Sequence, residues 1–413
     1  MKNNFDKFYF KTKEERIDIL KSLNLYDTSL DVSLNEHTAS HMIENYLTNF
    51  EIPMGLAPNF LINGKEYVIP MVTEEASVVA AASKAAKIIK ENGGFNSFVI
   101  SRLMTGEIIF HQVKNAKQLM SLIKSVENTL FKVAQKAHPK IKEIGGGLVS
   151  LHTKQIEDFV ILYVIVNTKD AMGANTINTI LEALSSYLET ITKEKILMSI
   201  LSNHSTECLV ESYCEINPKT LKFPEEIGMK LTDASRIAHL DIYRAATHNK
   251  GVLNGIDAVV LSTGNDTRAI SAAIHSYAAS NGSYQSLTKW SVNANGFIVG
   301  SIRIPMPIGT VGGAINVYPL AALSKKILNY KTSEELMMII ASVGLAQNFA
   351  AIYALTTDGI QKGHMSLHAR SIAIQTDATS TELPELIKEL KISKDFSLDN
   401  AKNILNIIRK KDN

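Results

Sequence analysis

Between residues 107 and 201 the order of apolar runs leaves little freedom of fold. The spacing predicts a strand at 107–112, a helix at 118–136, strands at 148–153 and 158–167, a helix at 173–192 and a strand at 195–201. Phe159, Ile161, Tyr163 and Ile165 alternate with further apolar residues, as in a strand buried on both faces. The β-α-β-β-α-β order is the ferredoxin-like pattern, an antiparallel sheet with helices on one side.

The flanks read differently. Short helices are predicted over 13–50, with Met42, Ile43, Tyr46, Leu47 and Phe50 at helical spacing. Asn63-Gly64 marks a hairpin over 59–71. An Ala-rich helix follows over 74–92, closed by Gly93-Gly94. Further helices are predicted at 233–247, 267–280 and 333–355. Pro305 to Gly313 is too rich in Pro and Gly for helix and suits close backbone approach. A polar linker at 376–381 leads to two amphipathic helices near 382–391 and 397–410. The expected class is α+β: a large, mainly helical domain (1–105 and 206–360), an inserted ferredoxin-like (βαββαβ) small domain (106–205), and a small helical C-terminal flap (361–413).

Composition narrows the partners. The 413 residues carry a net charge of +2, which argues against a dedicated nucleic-acid binder. Two cysteines, Cys208 and Cys214, cannot build a disulfide framework or a cysteine zinc site and suit a reducing cytosol. The first twenty residues are charged, and no run of about 18 apolar residues occurs. The expectation is a cytoplasmic protein with no membrane span.

Thr247-His248-Asn249-Lys250-Gly251 and Gly264-Asn265-Asp266 read as two turn-like segments around a short apolar helix. A lysine held near an acid in a cleft stays protonated and can stabilise oxygen charge as it develops. Taken alone, such a pair is more often a structural salt bridge. Asp170-Ala171-Met172-Gly173-Ala174-Asn175 follows a strand and opens a helix. It is either a simple N-cap or a seat for a dinucleotide pyrophosphate on backbone N–H groups. No Gly-x-Gly-x-x-Gly follows a strand, so a nicotinamide site here is not a Rossmann fold. His364 and His368 have the spacing that would put two side chains on one helix face, but Met365 stands where a metalloprotease has glutamate, so no metal is expected. A metal-dependent hydrolase built on those histidines is the rival that exhaustive chelation would test.

Together with Pro70 to Ser77 and Gly363 to Arg370, these segments in this order resemble the class II (bacterial type) 3-hydroxy-3-methylglutaryl-coenzyme A reductases. The resemblance runs from about Phe8 to about Arg370 and includes Tyr243 to Gly251 and Val343 to Asn348. It implies four-electron reduction of (S)-3-hydroxy-3-methylglutaryl-CoA to (R)-mevalonate and CoA with NAD(P)H. Glu75 would supply a proton, Lys250 would hold the thioester oxygen, Asp266 would fix the lysine and couple to Glu75, and His364 would protonate the departing thiolate. Arg244 would capture the free carboxylate, with Ser77 and Asn254 on the acyl portion. Asp170, Met172, Gly173 and Asn175 would seat the cofactor, with Asn203 near the nicotinamide. His138 stands where NADH-using members carry aspartate, which reads as NADPH, with NADH as the alternative. The family also implies a homodimer with active sites at the subunit interface. The same residues would serve mevalonate catabolism with NAD, and a catalytically idle acyl-CoA-binding protein is the remaining rival. Ala76 for the usual proline and Thr267 for an aromatic are departures that look remote from the chemistry.

Overall fold

A computed structural model describes residues 5, 7–27, 33–357, 359, 369 and 372–411. The strands are β1 (Met54–Ile62), β2 (Lys65–Val72), β3 (Phe95–Val99), β4 (Met104–Phe110), β5 (Gly147–Ile156), β6 (Phe159–Asn167), β7 (Ile196–Leu201), β8 (Leu209–Ile216), β9 (Thr288–Val292) and β10 (Ile298–Pro305). Helices α1 to α6 are Lys13–Ser22, Glu36–Ser40, Val78–Glu91, Ala116–Ser125, Glu127–Ala137 and Pro139–Glu143. Helices α7 to α12 are Ala174–Thr192, Pro224–Leu240, Ile242–Ser262, Thr267–Ala278, Pro319–Leu328 and Ser333–Thr356. Leu383–Ser393 and Leu398–Lys411 form α13 and α14.

Two sheets organise the chain. The four-stranded sheet has the order β5-β6-β4-β7 with antiparallel neighbours, the ferredoxin-like arrangement, and α5 and α7 pack on it. The six-stranded sheet has the order β2-β1-β3-β8-β10-β9. Its β3 and β8 pair antiparallel from Phe95↔Cys214 to Val99↔Val210, and the whole ferredoxin-like unit occupies the connection between them. An insertion there needs only two neighbouring strand ends to leave and re-enter the sheet. In the β1–β2 hairpin, Asn63 (φ 49°) and Gly64 (φ 76°) both take the left-handed conformation that a tight two-residue turn demands.

Helix α12 is apolar around its circumference, and a soluble helix of that kind must be enclosed. It packs against α3, α9 and the strands β3, β8 and β10. By length and composition it could cross a membrane, yet 78% of that apolar window is buried inside the fold. Gly255 allows α9 to approach it: a Cβ there would lie 3.0 Å from the Gln347 side chain and 3.2 Å from the Val343 carbonyl oxygen. That contact fixes the helix on which Lys250 rides. Helices α13 and α14 pack on each other around Leu386, Leu390, Ala401, Leu405 and Ile408, a cluster separate from the main core.

Several local expectations differ from the structure. The predicted helix over 40–50 is absent: α2 ends at Ser40, and Leu47 and Phe50 stand 89% and 90% exposed. Helical spacing without a surface to pack on does not hold a short helix together. The helix expected from Glu74 starts at Val78, because Ser77 takes a left-handed backbone (φ 83°). The helix expected at 233–247 is two helices, α8 and α9, broken at Asp241, whose side chain accepts the Arg244 N–H and caps α9. The helix expected at 118–136 is likewise two, α4 and α5, parted at Val126. Beyond the β1–β2 hairpin, the pairing of the six-stranded sheet was not foreseen, because β3, β8 and β10 meet only across long stretches of chain.

Candidate active site

Lys250 does not lie on a turn; it sits in the first half of α9. Asn249 and Gly251 are weak helix formers, but tertiary contacts hold them helical. The Asn249 amide accepts the Leu287 N–H at 3.0 Å and donates to the Gln285 carbonyl at 2.8 Å. Behind it, His248 Nε2 lies 2.6 Å from Thr288 Oγ1 and 3.0 Å from Asn348 Nδ2. Burial, with Arg244 nearby, holds the His248 pKa down at about 4, so this imidazole is neutral.

With α9 fixed, Lys250 Nζ donates to Glu75 Oε2 at 2.7 Å. Glu75 comes from the segment between β2 and α3, where its N–H donates to Thr73 Oγ1 at 3.1 Å. Two residues on, Ser77 takes a left-handed conformation (φ 83°), a strained setting for a non-glycine residue and one that recurs at functional sites. Beside the pair lies a cavity of about 240 Å³ lined by Val72, Thr73, Glu74, Glu75, Asn254, Asp257, Ala258, Leu261 and Thr267. Lys250, Asn254 and Asp257 follow one stripe of α9 at i, i+4 and i+7. Thr267, set aside in the sequence as remote, lines this cavity. A larger open groove of about 530 Å³, at Lys325, Lys326, Tyr330 and Lys331, is formed by neither member of the ion pair.

Asp266 caps α10. Its Oδ1 accepts from the Arg268 N–H at 2.9 Å, the Ala269 N–H at 3.2 Å and Arg268 Nε at 3.3 Å. Burial works to raise its pKa, but these hydrogen bonds outweigh it and hold the carboxyl below its ordinary value. Within one chain Lys250 is therefore bonded to Glu75, and Asp266 to its own helix. Arg244 opens α9 off the Lys250 stripe, half-buried, and no acid pairs with its guanidinium among the described residues. His364 and His368 lie outside the described residues.

The turn from Thr168 to Gly173 is gripped by the larger sheet's loops. Buried Arg102 donates to the Ala171 carbonyl at 2.9 Å, the Ile308 carbonyl at 2.7 Å and Ser333 Oγ at 2.7 Å. Thr310 N–H donates to the Asp170 carbonyl at 2.8 Å. Asp170 Oδ1 does not cap the following helix. It accepts the N–H of Ser333, the first residue of α12, at 2.7 Å, beside that helix's own N-cap Thr332. The N-cap of α7 is instead Gly173 (φ 95°), with no side-chain hydrogen bond, so the first N–H groups of this helix have no side-chain acceptor at the cap. Met172 is half-buried, and Asn175 and Asn203 are exposed. His138 caps α6 through Nδ1, which accepts the Ile141 N–H at 3.3 Å, while Nε2 lies 3.4 Å from Thr176 Oγ1 on α7. Arg102 and Asp257 were missed in the sequence; for Asp257 the i+7 spacing from Lys250 was the available signal.

The fold is thus a ferredoxin-like unit, distinct from a Rossmann domain, inserted into a six-stranded α+β body that carries a lysine–carboxylate pair beside a polar cavity. The family model described as hydroxymethylglutaryl-coenzyme A reductase matches residues 12–369, and the chain belongs to that family. It is 40% identical to the 3-hydroxy-3-methylglutaryl-coenzyme A reductase of Archaeoglobus fulgidus, over 99% of this chain and 95% of that one. The probable reductase of Borreliella burgdorferi is 35% identical over 96% of this chain and 93% of that one. The solved 3-hydroxy-3-methylglutaryl-coenzyme A reductase from Streptococcus pneumoniae superposes with a TM-score of 0.83 at 42% identity, covering 98% of this chain and 99% of that one. A structure of the class II Streptococcus pneumoniae enzyme bound to NADPH in open conformations gives 0.82 at 42% identity, over 86% and 100%.

Proposed function

We infer that this chain reduces 3-hydroxy-3-methylglutaryl-CoA to mevalonate and CoA, an oxidoreductase activity that its family membership carries. The observation that supports the chemistry is the 2.7 Å contact between Lys250 and Glu75 beside the cavity. The ammonium is a fixed positive charge for a carbonyl oxygen that gains electrons. The carboxyl at its side can deliver a proton to the same oxygen. Arg244, with no acid partner among the described residues, offers a planar fork to the free carboxylate of the glutaryl group. Ser77 and Asn254 flank the acyl portion, and Asp266 acts from the cap of the neighbouring helix. His364 protonates the thiolate that leaves.

The residues fit a dinucleotide. Gly173 leaves the start of α7 without a side-chain cap, and the Asp170 carboxylate is turned away onto Ser333. When bound, the reduced nicotinamide supplies hydride. Gly173, Met172 and Asn175 would hold the pyrophosphate side, with Asn203 towards the nicotinamide. His138, beside Thr176, favours NADPH because an imidazole tolerates a 2′-phosphate that aspartate would repel.

We further take 106–205 as the cofactor domain, 1–105 with 206–360 as the substrate and dimerisation domain, and 361–413 as a flap. The insertion between β3 and β8 and the separate C-terminal cluster support this division. A homodimer with interface active sites is supported by exposed Leu240, Ile242 and Tyr243 at the start of α9, next to Arg244. The setting is cytoplasmic, with the mevalonate pathway of isoprenoid synthesis as the role.

His364→Gln tests the division of labour. It should abolish reduction of the thioester while sparing reduction of free mevaldehyde by NADPH. Equal loss of both activities would remove His364 from thiolate protonation.

A further inference from the structure

Asp257 has no part in the chemistry above, yet it faces the same cavity as Glu75 and Asn254. It lies two helical turns after Lys250 on the same stripe of α9. Its Oδ1 is buried with no hydrogen-bond partner among the described residues. Burial pushes its carboxyl up to about 6. The titratable groups on the cavity wall are Glu74 and Glu75 opposite, and Lys250 on its own helix is already engaged by Glu75. The remaining wall is neutral: Val72, Ala258 and Leu261 are apolar, and Thr73, Asn254 and Thr267 are polar. No cation pairs with Asp257 among the described residues.

A buried carboxyl oxygen without a protein partner is costly unless something that enters the cavity satisfies it. The wall also says what that partner is. A ligand carboxylate would meet Glu74, Glu75 and Asp257 together and be repelled. A hydroxyl donates to a carboxylate and accepts from a neutral carboxyl, so it suits Asp257 in either protonation state. The acyl group of the proposed substrate carries a free carboxylate, a thioester carbonyl and a tertiary hydroxyl. Arg244 answers the first and Lys250 the second.

We propose that Asp257 is a specificity-determining residue that hydrogen-bonds the tertiary hydroxyl of the acyl group while Lys250 holds the carbonyl oxygen. The proposal rests on the reductase reading and deepens it. A site built to bond a hydroxyl rejects the analogue that lacks it, because the buried polar group is then left unpaired.

The experiment compares kcat/KM for 3-hydroxy-3-methylglutaryl-CoA and 3-methylglutaryl-CoA, with NADPH, in the full-length wild type, Asp257→Asn and Asp257→Leu. Wild type should prefer the hydroxylated thioester by at least about 100-fold. Asp257→Leu should lose most of that preference, and Asp257→Asn, which keeps size and hydrogen bonding, should retain most of it. Thermal unfolding should place both variants no lower than wild type, since an unpaired buried carboxyl is removed. An active enzyme whose selectivity is the same in all three proteins would overturn the role of Asp257. A wild type that oxidises no NADPH with either thioester would instead overturn the reductase reading, and this proposal with it.

Discussion

Lys250→Ala separates a working cation from a merely structural ion pair. The side chains of Lys250 and Glu75 are 62% and 37% exposed. A pair so open to water is screened and contributes about 0–1 kcal/mol to stability. In a chain of this size that corresponds to a fall in Tm of about 2 °C or less. The same ammonium placed against a carbonyl oxygen as it gains charge is worth far more. Losing one such donor costs about 100- to 1,000-fold in kcat, or about 3–4 kcal/mol of barrier. The variant should therefore fold almost as well as wild type while kcat for NADPH oxidation with the thioester falls at least about 100-fold. Glu75→Gln is the companion, because it breaks the same ion pair and keeps the lysine. Differential scanning calorimetry and steady-state kinetics on the same preparations read both quantities. A Lys250→Ala enzyme within tenfold of wild-type kcat would refute the reasoning, as would a stability loss of about 3 kcal/mol or more that accounts for the lost activity.

Three further outcomes follow from the geometry. Gly309→Ala puts a Cβ 2.6 Å from the Met172 backbone nitrogen and 3.1 Å from the Asp170 carbonyl oxygen, which cannot yield as a flexible side chain would. KM for NADPH should rise at least about tenfold with little change in KM for the thioester; an unchanged cofactor KM would separate this contact from cofactor binding. Asn348→Leu strands the Trp290 indole N–H, which donates to Asn348 Oδ1 at 2.9 Å, and the His248 contact at 3.0 Å. It should cost about 2–4 kcal/mol in denaturant unfolding, and a loss below 1 kcal/mol would contradict the importance of this network. His248, held at about 4, binds fewer protons folded than unfolded, so its contribution to stability is lost as pH falls from about 6.5 towards 4. Asp257, raised to about 6, works in the opposite sense, its contribution being lost as pH rises from about 4 to 6. Asp257→Asn should therefore steepen the acid loss of stability, and a pH–stability curve parallel to wild type would contradict the Asp257 assignment.

The ferredoxin-like unit was legible because each of its elements carries its own periodicity. Strand β6 at Phe159–Asn167 and helix α7 at Ala174–Thr192 fall within a residue or two of their predicted bounds. Beyond its β1–β2 hairpin the six-stranded sheet was not, because β3 finds β8 and β8 finds β10 only across long stretches of chain. Lys250 was misread as lying on a turn for a related reason. Asn249 and Gly251 argue locally against helix, and the contacts that overrule them come from Gln285 and Leu287 on another segment. Asp170 shows the limit of motif reading: its place before a helix suggests a cap for α7, and its carboxylate instead accepts the first N–H of α12. Asp257 sits among apolar neighbours on α9, and only the cavity gives it meaning.

The most direct measurement is the ratio of NADPH oxidised to thiol released from 3-hydroxy-3-methylglutaryl-CoA at complete conversion. Two successive hydride additions to the same carbonyl carbon, each stabilised at its oxygen by Lys250, predict two NADPH consumed for each CoA freed. A ratio of one, or NADPH oxidation with no thiol released, would contradict the account.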